Sequence, residues 1–197
     1  MGKIVVITNL TLDGVMQAPG RADEDPRDGF EHGGWAARFA AMQQAEAGEA
    51  FANMGALLFG RQTYEIFYAF WPNQTDNPFT ALLNNIPKYV VSTTLEEPLS
   101  WSNSRLVRSD VAKTLEKLKE EQDKDLVVFG SGVLVQSLMR WNLVDEYVLL
   151  IHPLILGDGR RLFIDGGTPA NLKLREAKAT PNGVVIATYS PTETNAG

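Results

Sequence analysis

Short apolar runs along this chain alternate with stretches of helical periodicity, and that alternation predicts an α/β fold. Lys3 to Leu10 is apolar and β-branched and stops at Asp13-Gly14, a turn signal, so it predicts a buried first strand. Ala56-Leu57-Leu58-Phe59, Pro87 to Thr93, Arg105 to Arg108 and Leu126 to Phe129 predict the strands that follow. Between them, Trp35, Phe39 and Met42 recur at helical spacing, and Ala-rich sequence extends the pattern to about Asn53 as one long helix. Gln62 to Phe70 predicts a short helix ended by Trp71-Pro72-Asn73, because proline lacks the N–H that would continue it. Ser109 or Asp110 can cap a helix to about Gln122, on which Val111, Leu115 and Leu118 share a face. Gly130-Ser131-Gly132 opens another helix over Val133 to Arg140.

From Leu143 the texture changes to strands: Val144 to Ile151, then Leu172 to Thr180 and Val184 to Tyr189 about the turn Pro181-Asn182-Gly183. The expected architecture is a mixed, mostly parallel central sheet with helices on both faces and an antiparallel C-terminal hairpin. It forms one domain over residues 1–190, with 191–197 as a frayed tail. Prolines, glycines and charges between Met16 and Gly34 describe an irregular loop of the length that usually serves a site.

Composition narrows the function. The chain has 197 residues, 44% of them hydrophobic, enough for one sizeable core. The 18 basic residues are outnumbered by 24 acidic ones for a net charge of -6, and no Lys or Arg run stands out, which argues against nucleic acid as a partner. There are no cysteines, so thiolate chemistry and Cys-based metal sites are excluded; only His32 and His152 offer imidazole, and no metal is expected. The N-terminus lacks the pattern of a signal peptide and no apolar run approaches about 18 residues, so the expectation is a soluble, cytoplasmic protein without a membrane span.

The chemistry concentrates at two strand-to-helix junctions, Gly60-Arg61-Gln62-Thr63 and Gly130-Ser131-Gly132. Each puts a glycine turn, where backbone approaches a ligand closely, before a helix N-terminus carrying partial positive charge, and Arg61 and Thr63 add a guanidinium and a hydroxyl. Two such junctions on one sheet can clamp a pyrophosphate; alternatively they are ordinary turns of an α/β protein. Ser92-Thr93 and Arg108 stand at two further strand ends. Neither junction is a dinucleotide fingerprint or a P-loop, since Val133-Leu134-Val135 supplies no third glycine and no Gly-Lys-Ser/Thr occurs.

Five segments in this order resemble the dihydrofolate reductase-like superfamily, especially its riboflavin-biosynthesis reductase branch, the RibD C-terminal domain. They are Leu12-Asp13-Gly14; Gly60 to Glu65; Lys88 to Ser92; Gly130-Ser131-Gly132; and Val144 to Tyr147 with Pro153 to Gly159, over about residues 3 to 190. The resemblance implies hydride transfer from NADPH to a small pterin- or pyrimidine-like, heterocyclic or conjugated molecule. It implies that Gly60, Arg61, Gln62 and Thr63 hold pyrophosphate and 2′-phosphate, Ser92 and Thr93 the adenosine ribose phosphate, and Gly130, Ser131, Gly132, Val133 and Leu134 the pyrophosphate from the opposite helix; Arg108, by its strand-end position, can meet another phosphate or the adenine face. Thr8 and Asn9 would flank the nicotinamide, with Asp13 ordering the loop that follows. A homodimer is also expected, because the C-terminal strands leave an edge to cover.

Two departures bear on substrate. Where riboflavin-pathway reductases carry a lysine on the first strand and a glutamate before the glycine turn, this chain has Ile7 and Phe129. Glu31 is the candidate catalytic acid, or else a solvated loop residue. Trp35, Phe39, Phe67, Tyr68 and Trp71 either wall a substrate pocket for a flat ring or belong to the core. Arg160-Arg161 binds a substrate anion or forms a surface turn. An NADPH-dependent reductase leads, and a non-catalytic nucleotide-binding module is the alternative.

Overall fold

Strand residues alternate between two cores, and this alternation sets the layers of the molecule. The computed structural model describes residues 1–39, 51–75 and 77–192. On strand β1 (Ile4–Thr11), Ile4, Val6 and Leu10 face one core while Val5 and Ile7 face the other. Strands β2 (Met54–Gly60), β5 (Asp125–Phe129) and β6 (Glu146–His152) repeat the period, as expected of strands covered on both faces. β3 (Lys88–Val91) and β4 (Ser104–Val107) extend one side of the sheet, and β7 (Leu172–Ala179) and β8 (Val185–Pro191) the other.

The eight strands run in the order β4-β3-β2-β5-β1-β6-β8-β7. Pairings from β4 through β6 are parallel; β8 pairs antiparallel with both β6 and β7. Helices α1 (Arg61–Phe70) and α2 (Pro78–Asn85) cover one face, burying Tyr64 and Leu83. Helices α3 (Val111–Glu121) and α4 (Gly132–Arg140) cover the other with Leu115, Leu134, Val135 and Leu138. The mixed, mostly parallel sheet with its antiparallel C-terminal strands is therefore observed.

Several local expectations need correction. The segment from Trp35 begins as a turn and a single 3₁₀ turn at Ala37–Phe39, because the 15–36 loop folds on its own small core of Val15, Ala18, Phe30, Trp35 and Ala36. The rest of that expected helix, 40–50 with Met42, lies outside the described residues. Helix α2 was not anticipated, although Asn77 caps it through Phe79 N (2.9 Å) and Pro78 occupies its first turn. Asp110 stands at the N-cap of α3 in a left-handed conformation and its side chain makes no cap bond. Pro191 belongs to β8 rather than to a tail, and Thr192 N bonds Asn171 O at 2.9 Å; 193–197 lie outside the described residues.

Candidate functional site

Because β2 and β5 are adjacent parallel strands, their C-terminal ends lie side by side, and the chain leaves them toward opposite faces of the sheet. Helix α1 begins at Arg61 on one face and α4 at Gly132 on the other. In the first turn of each, backbone N–H groups find no carbonyl partner within the helix, so two sets of donors meet at one sheet end. Gly130 and Ser131 make the turn into α4 with φ of 54° and 51°, a left-handed pair that glycine opens. The junctions are tied together: Gly60 N donates to Ser131 Oγ at 3.1 Å, and Ser131 N donates to Thr63 Oγ1 at 3.0 Å. The sequence pattern presents the two junctions separately; the structure shows them fastened to each other by this reciprocal pair of hydrogen bonds.

They border a cleft of about 970 Å³. Thr8, Asn9, Gly60, Arg61, Gln62, Thr63, Ser92, Thr93, Arg108, Gly130, Ser131, Gly132, Val133 and Leu134 all line it, so residues far apart in sequence meet at the strand ends. The Arg61 guanidinium lies 3.3 Å from Glu65 one turn on, and the Gln62 amide, with its oxygen toward Arg61, accepts from Nη2 at 2.8 Å. Ser92 Oγ accepts from Thr94 N (3.1 Å) and Leu95 N (3.0 Å), shaping the turn after β3, and Arg108 donates to Leu95 O. Asn9 Oδ1 meets His152 Nε2 at 2.9 Å; burial, with a smaller push from Arg38, brings that imidazole down to about 4, so it stays neutral.

Although the chain carries net negative charge, the described residues that line the cleft include six arginines, at 21, 27, 61, 108, 160 and 161, and the carboxylates of Glu24 and Asp25. Five of the six carry a carboxylate partner, at Asp23, Asp25, Glu65, Asp28 and Asp13 in turn for Arg21, Arg27, Arg61, Arg160 and Arg161, so they offer a small anion directed guanidinium donors rather than a net positive field. Arg160 and Arg161 thus reach the cleft while remaining half exposed; Arg160 pairs with Asp28 (2.7 Å) and Arg161 with Asp13 (3.6 Å). The end near the C-terminus of α1 is aromatic. Phe67 stacks on Phe129 (centroids 6.1 Å apart) and meets Trp71 (6.2 Å), while Phe70 packs against Trp71 (5.3 Å). Arg21, from the 16–30 loop, places its guanidinium 4.3 Å from the Phe70 ring centroid.

Some expected site residues fall elsewhere. Glu31 is exposed and outside the cleft lining, since the loop turns it to solvent beyond the buried Phe30. Trp35 and Phe39 are core: Trp35 Nε1 donates to Gln17 O at 2.7 Å, and both rings pack edge-on against buried His152. Tyr68 stacks on Tyr64 away from the cleft, leaving Phe67 and Trp71 as the expected aromatics that line it. Asp13 is not a lining residue. It accepts from Thr11 Oγ1 (2.5 Å), Leu156 N (3.2 Å) and Gly157 N (2.8 Å), joining the loop after β1 to the loop after β6. Desolvation pushes its carboxyl up, but these hydrogen bonds prevail and hold it at about 2.

The 16–30 loop supplies residues that composition could mark only as a segment. Gln17 Nε2 donates to Asp25 O and Arg27 O, both at 3.0 Å, and Gln17 Oε1 accepts from Arg160 N at 3.0 Å, fixing the loop over the cleft. Met16 seats against α4, where a Cβ on Gly132 would lie 2.9 Å from its sulfur.

Comparison with known proteins identifies the family and the fold. The family model of the RibD C-terminal domain matches residues 2–186. The uncharacterized protein YyaP of Bacillus subtilis (strain 168) is 30% identical over 137 residues, covering 68% of this chain and 72% of that protein. Among solved structures, a putative riboflavin biosynthesis protein from Shewanella sp. PV-4 superposes with a TM-score of 0.67 at 20% identity, over 97% of this chain and 99% of that one. A pyrimidine reductase-like protein from Corynebacterium diphtheriae gives 0.67 at 11% identity, over 98% and 93%. Dihydrofolate reductase from Enterococcus faecalis, complexed with NADP(H), gives 0.59 at 12% identity, over 98% of each chain. With a dihydrofolate reductase-like fold and a family match over nearly its whole length, the chain belongs to the RibD C-terminal domain family.

Proposed function

We propose that this protein is a cytoplasmic, NADPH-dependent reductase of a small, flat, conjugated or heterocyclic molecule. The observation that carries the reading is the pair of hydrogen-bonded helix starts at one end of the sheet, opening on a cleft whose described lining includes Arg61 and Arg108. The phosphate groups of a dinucleotide suit helix starts and guanidinium forks as hydrogen-bond donors. NADPH supplies a hydride when bound. The first turns of α1 and α4 would hold its pyrophosphate, Arg61 or Arg108 its 2′-phosphate, and Thr8 and Asn9 would border the nicotinamide. Phe67, Phe70, Trp71 and Phe129 offer an apolar wall on which a planar ring is held and water excluded. With Ile7 and Phe129 also lining this region, recognition there rests on the ring rather than on a charged tail.

The test is cofactor preference. Arg61→Ala is expected to weaken NADPH binding about tenfold, roughly 1.4 kcal/mol, while leaving NADH nearly unchanged. Equal losses for the two cofactors would remove Arg61 from the 2′-phosphate site. A homodimer belongs to the same proposal: among the described residues β7 pairs only with β8, leaving an outer edge beside which Leu174 is 51% exposed. Light scattering is expected to return twice the chain mass.

A further inference from the structure

We propose that Glu24 delivers the proton that completes reduction in this cleft. The inference rests on the reductase reading above. Hydride addition to a C=N or C=C bond places two electrons and one hydrogen on one atom and leaves its neighbour as an anion, so a proton must arrive there. The O–H bond of the Glu24 carboxyl breaks, the new bond to substrate nitrogen or carbon forms, and the carboxylate regains its proton from water. NADPH is oxidised to NADP⁺ and the substrate is reduced.

Few described residues lining the cleft can perform this step. None is a histidine, cysteine, tyrosine or lysine, and the arginines stay protonated throughout. That leaves the adjacent carboxyls of Glu24 and Asp25. Asp25 is buried and gripped by Arg27 through two bonds, Nε to Oδ1 at 2.6 Å and Nη2 to Oδ2 at 2.5 Å. Desolvation works against its charge, yet the Arg27 bonds and charge prevail and keep its pKa lowered, so it holds no proton to give.

Glu24 is held differently. Its Oε2 accepts from Gly20 N (2.7 Å) and Arg21 N (3.0 Å), and both bonds fall on that one oxygen, which leaves Oε1 to carry the proton. The seat depends on Gly20, where a Cβ would lie 2.9 Å from Oε2. No guanidinium grips the carboxyl: Arg21 turns to Asp23 (3.4 Å) and to the face of Phe70. Desolvation raises its pKa, with the Gly20 and Arg21 N–H groups and the Arg21 charge lowering it and Asp25 adding to the rise. Two neighbouring carboxyls are thereby driven in opposite directions, the arrangement that separates a proton donor from a permanent anion. The Arg21–Phe70 contact puts this turn at the aromatic end, one helix length, about 15 Å, from the phosphate-binding start of α1.

Glu24→Gln tests the role, because the amide oxygen still accepts both N–H bonds while the acid is gone. The first readout is the carbon-13 titration of glutamate side-chain carboxyls, with the resonance missing from Glu24→Gln assigned to Glu24. The charged groups facing it are Arg21 and Asp25, the latter paired with Arg27. A midpoint above the ordinary glutamate value of about 4.3 is expected; a midpoint at or below it overturns the proposal. The second readout is NADPH oxidation with 7,8-dihydropterin and 2-cyclohexenone as probes. For a probe the wild type reduces, Glu24→Gln should lower kcat at least about 100-fold with NADPH affinity unchanged, and Gly20→Ala should lower it too by displacing the carboxyl. Unchanged kcat in Glu24→Gln overturns the proposal. Absence of turnover by the wild type on both probes counts against the reductase reading, and the titration still decides Glu24.

Discussion

The Ser131 hydroxyl accepts the Gly60 N–H at 3.1 Å, fastening the start of α4 to the end of β2 across the sheet. Its own N–H returns to Thr63 Oγ1 at 3.0 Å, so each junction satisfies a donor of the other. The two helix starts are thus fixed relative to one another, and a ligand that needs donors from both does not have to draw them together.

Ser131→Ala removes the acceptor and leaves the Gly60 N–H without its partner. It should cost about 1–2 kcal/mol in urea unfolding and weaken NADPH several-fold. Wild-type values for both would show that the tie contributes neither stability nor order to the cleft.

His152 sits fully buried between Trp35 and Phe39, and its pKa is brought down to about 4 from the ordinary 6.5. Between these values the unfolded chain binds a proton at this position that the native state refuses. Stability from this group is therefore complete above about pH 6.5 and is lost as pH falls toward 4. His152→Gln should show a shallower fall in urea midpoint between pH 7 and pH 4.5 than the wild type; parallel curves would contradict the account.

Lys88 has no exposed surface, and its ammonium donates to Ile86 O (2.9 Å), Ser102 O (3.0 Å) and Asn84 O (3.4 Å) beneath the Trp101 ring. Burial brings its pKa from the usual 10.5 down to about 8. As pH rises from 8 to 10.5, the unfolded state keeps a proton that the native state has shed, so this lysine makes stability rise with pH over that window. The difference between wild type and Lys88→Met in chemical unfolding should show that rise; a difference independent of pH would contradict it.

The layers of this fold were legible because both faces of β1, β2, β5 and β6 are covered, which leaves near-continuous apolar runs in the sequence. The junctions were legible as turns because an apolar run, a glycine and a helical pattern follow one another in sequence, although that local pattern is equally that of an ordinary α/β turn. That the junctions bond one another was not, since it depends on β5 inserting beside β2, an adjacency that no local pattern encodes. The 16–30 loop was readable as a segment only. Glu31 stays outside the cleft lining while Glu24 and Asp25 enter it, a placement set by Gln17 bonds reaching Asp25, Arg27 and Arg160 and by the small core of Phe30 and Trp35. Trp35 and Phe39 had the chemistry of a pocket wall, but buried His152 claimed both rings.

Titrating the protein with NADPH while following tryptophan emission shows whether the tied helix starts hold the cofactor. Trp71 and Trp141 both line the cleft and should report its occupation. Saturable quenching is expected, with a dissociation constant well below about 1 mM that Arg61→Ala and Ser131→Ala both weaken. No change in emission up to about 1 mM NADPH would contradict it.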